Sequence, residues 1–304
     1  MSVENRNLNT ECYKDRDGNL VPIPISNNGL IEKMFSNAFY RGIMRIASSH
    51  WFSNLERFAL STFFSSFSIT KFVRKNGINL KEYKKKKYAS FHEFFYREIR
   101  PECRPIALGE NNLVSPCDCK ASVYRISEDS GFVIKGVPYT VSEVLADKDA
   151  SMAYNGGYLF LLRLSLDDYH HYCYPISGAK TEDCYIPGKL MTVHPIIHKY
   201  AAVYRENARQ YCVIRNDSNG QMCVVMQVGA LGVGRIANDN TDAASVRQGE
   251  EQGHFEFGGS TILVIVPKES YVPDDDLLRN TEDGYETVIK MGERIGTLSS
   301  ALEE

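Results

Sequence analysis

Long apolar runs are missing from this chain of 304 residues. None approaches the ~18 consecutive apolar residues that a membrane-spanning helix requires. The longest, 158–162 and 262–266, are strand-sized. The N-terminus, Met-Ser-Val-Glu-Asn-Arg, lacks the basic-then-apolar pattern of an export signal. Cysteine is sparse and irregular: the eight present read as reduced thiols in a cytosolic chain. Cys117 and Cys119 flank Asp118, but no second close pair completes a zinc framework, so no metal is expected. There is no internal repeat, and no low-complexity tract beyond the lysines at 84–87. A secreted, membrane-spanning or fibrous protein is therefore not expected. With 43% apolar and 24% charged residues, the chain can bury a core.

What is present is unevenly spread. Residues 31–100 hold fourteen Lys and Arg against five Glu and no Asp, a surplus of nine positive charges. The net charge is −3, so the remainder carries −12. One end should therefore meet something anionic, either nucleic acid or an acidic lipid surface. The apolar neighbours favour lipid. Met34, Phe35, Phe39, Met44, Trp51, Leu55 and Phe58 recur at near-helical spacing, followed by Phe63, Phe64, Phe67 and Phe72. Lys33, Arg41, Arg45 and Arg57 lie between them. The pattern predicts amphipathic helices with basic flanks over 31–80, suited to a membrane interface or to packing on the main domain. No DNA- or RNA-binding motif falls on these elements, so no nucleic-acid partner is expected.

Residues 90–100 predict a short helix, with Ser90 and Glu93 at capping-box spacing and Pro101 barring continuation. From about residue 112 the texture changes. Runs rich in Val, Ile, Leu and Tyr predict strands at 121–126, Gly131–Ile134, Tyr158–Leu164, 211–214, Met222–Val228 and 261–266. Helices are predicted at Val141–Leu145 and 197–202, and a short one at the acidic C-terminal end. The boundary divides a helical, membrane-associating region (1–105) from a β domain (106–304).

Three motifs bear on chemistry. Gly232-Val-Gly234-Arg-Ile-Ala237 matches a dinucleotide fingerprint in letters only, because no helix opens after it. Asp167-Asp-Tyr-His-His-Tyr-Cys173 follows a predicted strand, where His170 or His171 could act as acid or base. Gly258-Gly259-Ser260-Thr261 precedes an apolar strand. It reads as a hairpin turn or as a bond suited to self-cleavage, since a glycine carbonyl is unhindered and its backbone tolerates strain. In that second reading the serine oxygen attacks the preceding carbonyl and shifts the acyl group from N to O. Elimination leaves dehydroalanine, which hydrolyses to a pyruvoyl group. The sequence needs a base for the serine and donors for the oxyanion.

At these residues the chain resembles the phosphatidylserine decarboxylases. The ordered match runs from Phe91-His-Glu-Phe-Phe-Tyr-Arg97 and Arg104-Pro-Ile106 through Ser115-Pro-Cys-Asp118, Lys135-Gly136 and Asp168-Tyr-His170. It continues through Gly188-Lys-Leu-Met-Thr-Val193, Asn207-Ala-Arg209, Val228-Gly-Ala230 with Val233-Gly234, and Gly249-Glu250. It closes at Gly253-His-Phe-Glu-Phe-Gly-Gly-Ser-Thr261. It covers roughly residues 80–270 and is nearest the bacterial branch with Gly-Gly-Ser-Thr rather than Leu-Gly-Ser-Thr. The resemblance implies an α+β fold, N-terminal amphipathic helices packed on a mostly antiparallel β-sandwich or barrel-like domain. It implies a proenzyme cut between Gly259 and Ser260, with Ser260 becoming a covalent pyruvoyl cofactor and no external cofactor. The substrate would be phosphatidylserine, bound through a Schiff base and converted to phosphatidylethanolamine and CO2. Peripheral attachment to an anionic phospholipid membrane at the cytoplasmic face of the cell membrane follows, and a homodimer of cleaved protomers is allowed. By match, Asp118 is the acid of the self-cleavage triad and His170 the histidine of decarboxylation.

Two positions depart from the family pattern. The family's triad histidine stands where this chain has Cys173, and its Pro-Ala-Asp-Gly is Pro116-Cys-Asp-Cys119 here. The base for Ser260 is thus open among Cys173, His171 and His194. A nearby Asp118 would raise the thiol pKa, and an extended segment would turn His171 away. Two rival readings stay open: the same chemistry on a soluble amino acid, and a non-cleaving, lipid-binding relative.

Overall fold

The computed structural model describes residues 12–23, 58–129, 131–193, 202–230, 236–256 and 260–299. The predicted apolar runs become strands because β-branched and aromatic side chains suit a pleat buried on both faces. Eight strands carry the argument: β1 (Cys119–Arg125), β2 (Tyr158–Leu164), β3 (His171–Cys173), β4 (Arg209–Asn216), β5 (Met222–Val228), β6 (Ile236–Asn238), β7 (Glu251–Phe255) and β8 (Ser260–Val266).

Hydrogen bonding places β4, β5, β8, β2 and β1 side by side, antiparallel throughout. Shorter strands extend them into an 11-stranded sheet. That sheet is mixed, because Cys12–Lys14 pairs parallel with Thr287–Ile289. A second sheet has β7 between β6 and β3. Gln252 of β7 donates from Nε2 to Cys212 Sγ of β4 at 3.7 Å. Cys212 pairs with Val225, which shares its face of β5 with Gln227. The small sheet therefore covers the face of the large sheet that also carries Ser260. Every residue of β8 is buried, and Leu162, Ile262, Val264, Tyr172 and Phe255 belong to one continuous core. Each such side chain contributes roughly 1.5–3 kcal/mol by leaving water.

The described N-terminal segment forms a satellite core of its own. Helix α1 (Ile69–Asn76) ends at Gly77, whose φ of +65° is the left-handed conformation that a helix C-terminus favours. Helix α2 (Phe91–Phe95) follows, and Ile69, Phe91, Phe94 and Phe95 pack together. The sequence predicts a helix over 90–100, but it stops at Phe95. Ser90 Oγ accepts from Glu93 N, while the Glu93 carboxylate takes Ala89 N instead of the Ser90 amide. Beyond Phe95 the chain turns so that Arg97 enters the core and Ile99 bridges Tyr83. The predicted helix at Val141–Leu145 is present with a reciprocal capping box between Thr140 and Glu143. The region near the C-terminus holds a helix, Asp275–Glu282, and two strands, Thr287–Ile289 and Arg294–Leu298, that composition did not reveal. The helices expected over 31–57 and 197–201, and residues 300–304, lie outside the described residues.

Candidate active site

Ser260 is the first residue of β8 and pairs with Leu164, the last of β2. Thr261 is held between Arg163 of β2 and Val228 of β5. Two flanking strands thus fix the backbone on which the Ser260 side chain stands. The side chain is fully buried, and its Oγ has no hydrogen-bond partner among the described residues. A buried hydroxyl normally pairs, so an unpaired one at the expected cleavage point is informative. It also suits the prosthetic group that this serine would become, because a reacting hydroxyl must be free to turn. Gly259, the acyl side of that bond, and His194 lie outside the described residues.

Leu164 leads into a turn held by a buried hydrogen-bond network. Ser165 N donates to Asp168 Oδ2 at 2.7 Å, and Lys120 Nζ reaches both Asp168 oxygens at 2.7 and 2.6 Å. Arg97 Nη2 donates to the carbonyls of Asp167 (2.8 Å) and Asp168 (3.1 Å). The guanidinium lies over the Tyr83 and Phe94 rings at 4.6 and 4.7 Å. His170 follows this turn. Its Nδ1 stands 3.0 Å from Asp168 O, a carbonyl that can only accept, so Nδ1 carries the proton. Nε2 is then a bare acceptor, buried and without a partner among the described residues. Burial, aided by the Arg97 charge, pushes the imidazole down to about 3, so His170 is neutral at ordinary pH. The Phe95 ring lies 4.0 Å from its own, centroid to centroid. Phe255 N donates to His170 O at 2.9 Å. Strand pairing at Leu164 and this bond at the end of β7 bring His170 and Ser260 to the same end of the molecule's core.

Asp118 immediately precedes β1 and is 2% exposed. Arg104 grips it with two hydrogen bonds of 2.8 and 2.6 Å, and Met291 N adds a third at 2.9 Å. Burial alone would raise its pKa, but Arg104 and Lys290 outweigh that and hold it below the ordinary carboxylate value. Among the described residues none of these bonds joins Asp118 to His170 or Cys173. Its loop is nonetheless close to Cys173, whose amide donates to Pro116 O at 2.9 Å.

The three open bases now differ. Cys173 is buried, and burial with the nearby Glu251 pushes its thiol up to about 12. Its Sγ faces Ser115 O at 4.0 Å, the arrangement of a weak donor. His171 turns to other partners than His170. Its Nδ1 meets Glu251 Oε1 at 2.5 Å and its Nε2 meets Tyr96 O at 3.0 Å. The ring stacks between Tyr169 and His254 at 5.0 and 5.1 Å. With both nitrogens engaged, it offers Ser260 no free lone pair. Of the two adjacent histidines, His170 is the one with an unengaged acceptor.

Lys120 and Arg97, which build the His170 turn, have no separate signal in the sequence: one sits in a strand and the other in a helical pattern. Gln227 had a weak one, a single amide inside the apolar run of β5. Among the described residues, no group of three or more His, Cys, Asp or Glu is placed to hold a metal ion.

Comparison with known proteins identifies relatives of this chain. The family model for phosphatidylserine decarboxylase matches residues 91–297. A phosphatidylserine decarboxylase proenzyme 2 of Clostridium acetobutylicum is 36% identical over 270 residues, spanning 88% of this chain and 92% of that protein. Phosphatidylserine decarboxylase proenzymes of Fusobacterium nucleatum (36% identity; 75% of this chain, 77% of that protein) and Chlamydia felis (35%; 74% and 76%) are also similar.

Proposed function

The chain belongs to the phosphatidylserine decarboxylase family, and from that premise we propose that it cuts its own Gly259–Ser260 bond and then converts phosphatidylserine to phosphatidylethanolamine and CO2. The observation that carries the reading is the pair of buried, unpartnered atoms at one end of the core, Ser260 Oγ and His170 Nε2. A hydroxyl that must attack and a lone pair that must take its proton are both left free.

Maturation balances as follows. Ser260 Oγ gives its proton to a base and bonds to the Gly259 carbonyl carbon, while the C–N bond breaks and the freed nitrogen takes a proton. Loss of the Ser260 Cα proton then expels Oγ with residue 259 as a carboxylate, leaving dehydroalanine at 260. Its enamine takes a proton to become an imine, and water replaces the nitrogen, released as ammonia. The resulting pyruvoyl group supplies a ketone next to an amide, an electron sink for the pair released with CO2. His170 holds and moves a proton at Nε2. Its low pKa makes the protonated ring a strong acid, suited to returning that proton to the carbon that loses CO2. Asp118, the family's acid by match, stays ionised against Arg104 and acts through its negative field rather than by carrying the proton.

Membrane attachment belongs to the same reading. Phe58, Phe63, Phe64 and Phe67 are 66–80% exposed, next to Lys71, Arg74 and Lys75. Lys84–87 follow, each basic residue near an anionic leaflet contributing roughly 1 kcal/mol. The chain is therefore a peripheral protein of the cytoplasmic membrane face, its N-terminal helices between the β domain and lipid. A homodimer of cleaved protomers is part of the reading and is checked by native mass.

The test is the mass of the denatured protein, followed by incubation with carboxyl-labelled phosphatidylserine or free serine. Chains 1–259 and 260–304, the smaller blocked by a carbonyl-reactive terminus, with labelled CO2 from the lipid alone, support the proposal. Release from free serine alone would replace the substrate. A specific observation favours one rival: Cys173, with its thiol up at about 12, stands at the family's histidine position. If that loss disables maturation, the protein binds anionic vesicles as an uncut chain.

A further inference from the structure

Gln227 is a buried polar group that the chemistry above does not use. It lies in β5 between Met226 and Val228, in an otherwise apolar strand. Its side chain is fully buried, and neither Nε2 nor Oε1 has a hydrogen-bond partner among the described residues. An unpaired buried amide opposes folding, and an aliphatic side chain in its place would not.

The strand register says where it stands. Gln227 pairs with Ile262, and Ile262 pairs on its other side with Leu162. Ser260 pairs with Leu164. Side chains alternate along a strand, so Gln227, Ser260 and Ile262 share one face. Gln227 is one diagonal step from Ser260, a Cα separation of ~7–8 Å that a long side chain can span. Gln252, in the covering sheet, gives its Nε2 to Cys212 and not to Gln227. Two buried groups that can donate and accept thus stand a diagonal step apart on one covered face.

We infer that Gln227 is a positioning residue for self-cleavage. The two are not bonded in the structure; on a turn of its side chain the Gln227 carboxamide reaches the Ser260 hydroxyl and sets the rotamer from which Oγ attacks the preceding carbonyl. An amide neither takes nor gives up the proton, so the step still uses a separate base. The inference rests on the maturation proposed above and adds a limit to it. Oγ departs with residue 259 when the ester is eliminated, so the atom that Gln227 holds leaves position 260. Gln227 therefore serves cleavage more than turnover.

The experiment follows cleavage of freshly translated full-length chain by intact mass, in the wild type, Q227M and Q227N. Methionine keeps the length without the hydrogen bond, and asparagine keeps the amide but shortens its reach. Thermal unfolding selects the variants that fold, so either one suffices. The expected result is cleavage slowed about tenfold to a hundredfold, with a smaller fall in kcat per pyruvoyl group, titrated with a carbonyl reagent. Wild-type cleavage rates in a folded variant would overturn the inference and leave the self-cleavage reading standing. An equal fall in cleavage and kcat would also overturn it, placing Gln227 at the substrate. A wild type that stays uncut would sink both.

Discussion

The two faces of the central sheet treat buried polarity in opposite ways. On one face Lys120 and Arg163 stand opposite each other across β1 and β2, and Arg163 continues the row to Thr261. Their charges are matched. Lys120 is bound by Asp168, and Glu286 is held by Arg163 and by Lys135 at 3.0 Å. On the other face lie Ser260 and Gln227, neutral and unpartnered among the described residues. A buried charge without a partner would disrupt the fold, so Lys120 and Arg163 are matched by carboxylates, while buried Arg97 and Arg209 are satisfied by backbone carbonyls. A neutral hydroxyl or amide can be left unpaired at a smaller penalty. The lesson is that the paired face serves stability and the unpaired face serves chemistry. Thr261 Oγ1 and Ser122 Oγ are unpartnered on the charged face among the described residues, and Thr261 lies beside the cleavage point.

That contrast can be broken in order of effect. Ser260→Ala removes the attacking oxygen, so the chain stays whole by denaturing mass measurement while its thermal unfolding barely moves. A cut chain would end the self-cleavage reading. Glu286→Gln acts on the other face. It strands Arg163 and Lys135 and is expected to lower stability by about 3–5 kcal/mol, measured by denaturant unfolding. The fraction of folded chain that cleaves should be unchanged, and a specific loss of cleavage would show that the two faces are not separable.

The third test uses pH. Unfolded, a histidine takes a proton below about pH 6.5, whereas burial holds His170 neutral in the folded chain until about pH 3. Across that window the unfolded state binds more protons, so stability falls as pH drops. Glu286, whose pKa is pulled down chiefly by Arg163 and Lys135 against the opposing effect of burial, adds loss in the same direction below the ordinary carboxylate range. His170→Asn should flatten the upper part of the stability–pH curve, and an unaltered slope there would mean that the imidazole is not buried neutral. The smallest effect is expected at Cys173. A thiol held at about 12 is no base at neutral pH. Cys173→Ser should therefore change the cleavage rate within about threefold, less than 1 kcal/mol of barrier. A complete block would make the thiol, and not His170, the base.

The neighbouring histidines show the same division at the scale of one residue. The sequence offers His170 and His171 as equals, apart from the expectation that they face opposite sides. The structure gives His171 an anion, a carbonyl and two aromatic neighbours, and leaves His170 an open Nε2. Nothing in the order Asp-Tyr-His-His predicts that Glu251, Tyr96 and His254 arrive from distant parts of the chain to occupy one ring and not the other.

Local pattern alone determined the strands β2 and β5 to the residue, the Val141–Leu145 helix and β8 from Thr261 on, with Ser260 expected just ahead of it rather than as its first residue. These depend on alternation and propensity, which act between neighbours along the chain. Likeness to a family supplied Asp118 and His170, again by position. Only the tertiary structure decided which lone pairs are free. It tied Asp118 to Arg104, sealed Cys173 in as a thiol, ended the second helix early so that Arg97 could brace the His170 turn, and set Gln227 diagonal to Ser260. Those outcomes depend on strand register and on burial by distant segments. A local pattern states that a side chain is polar, and the packing around it decides whether that polarity is paired.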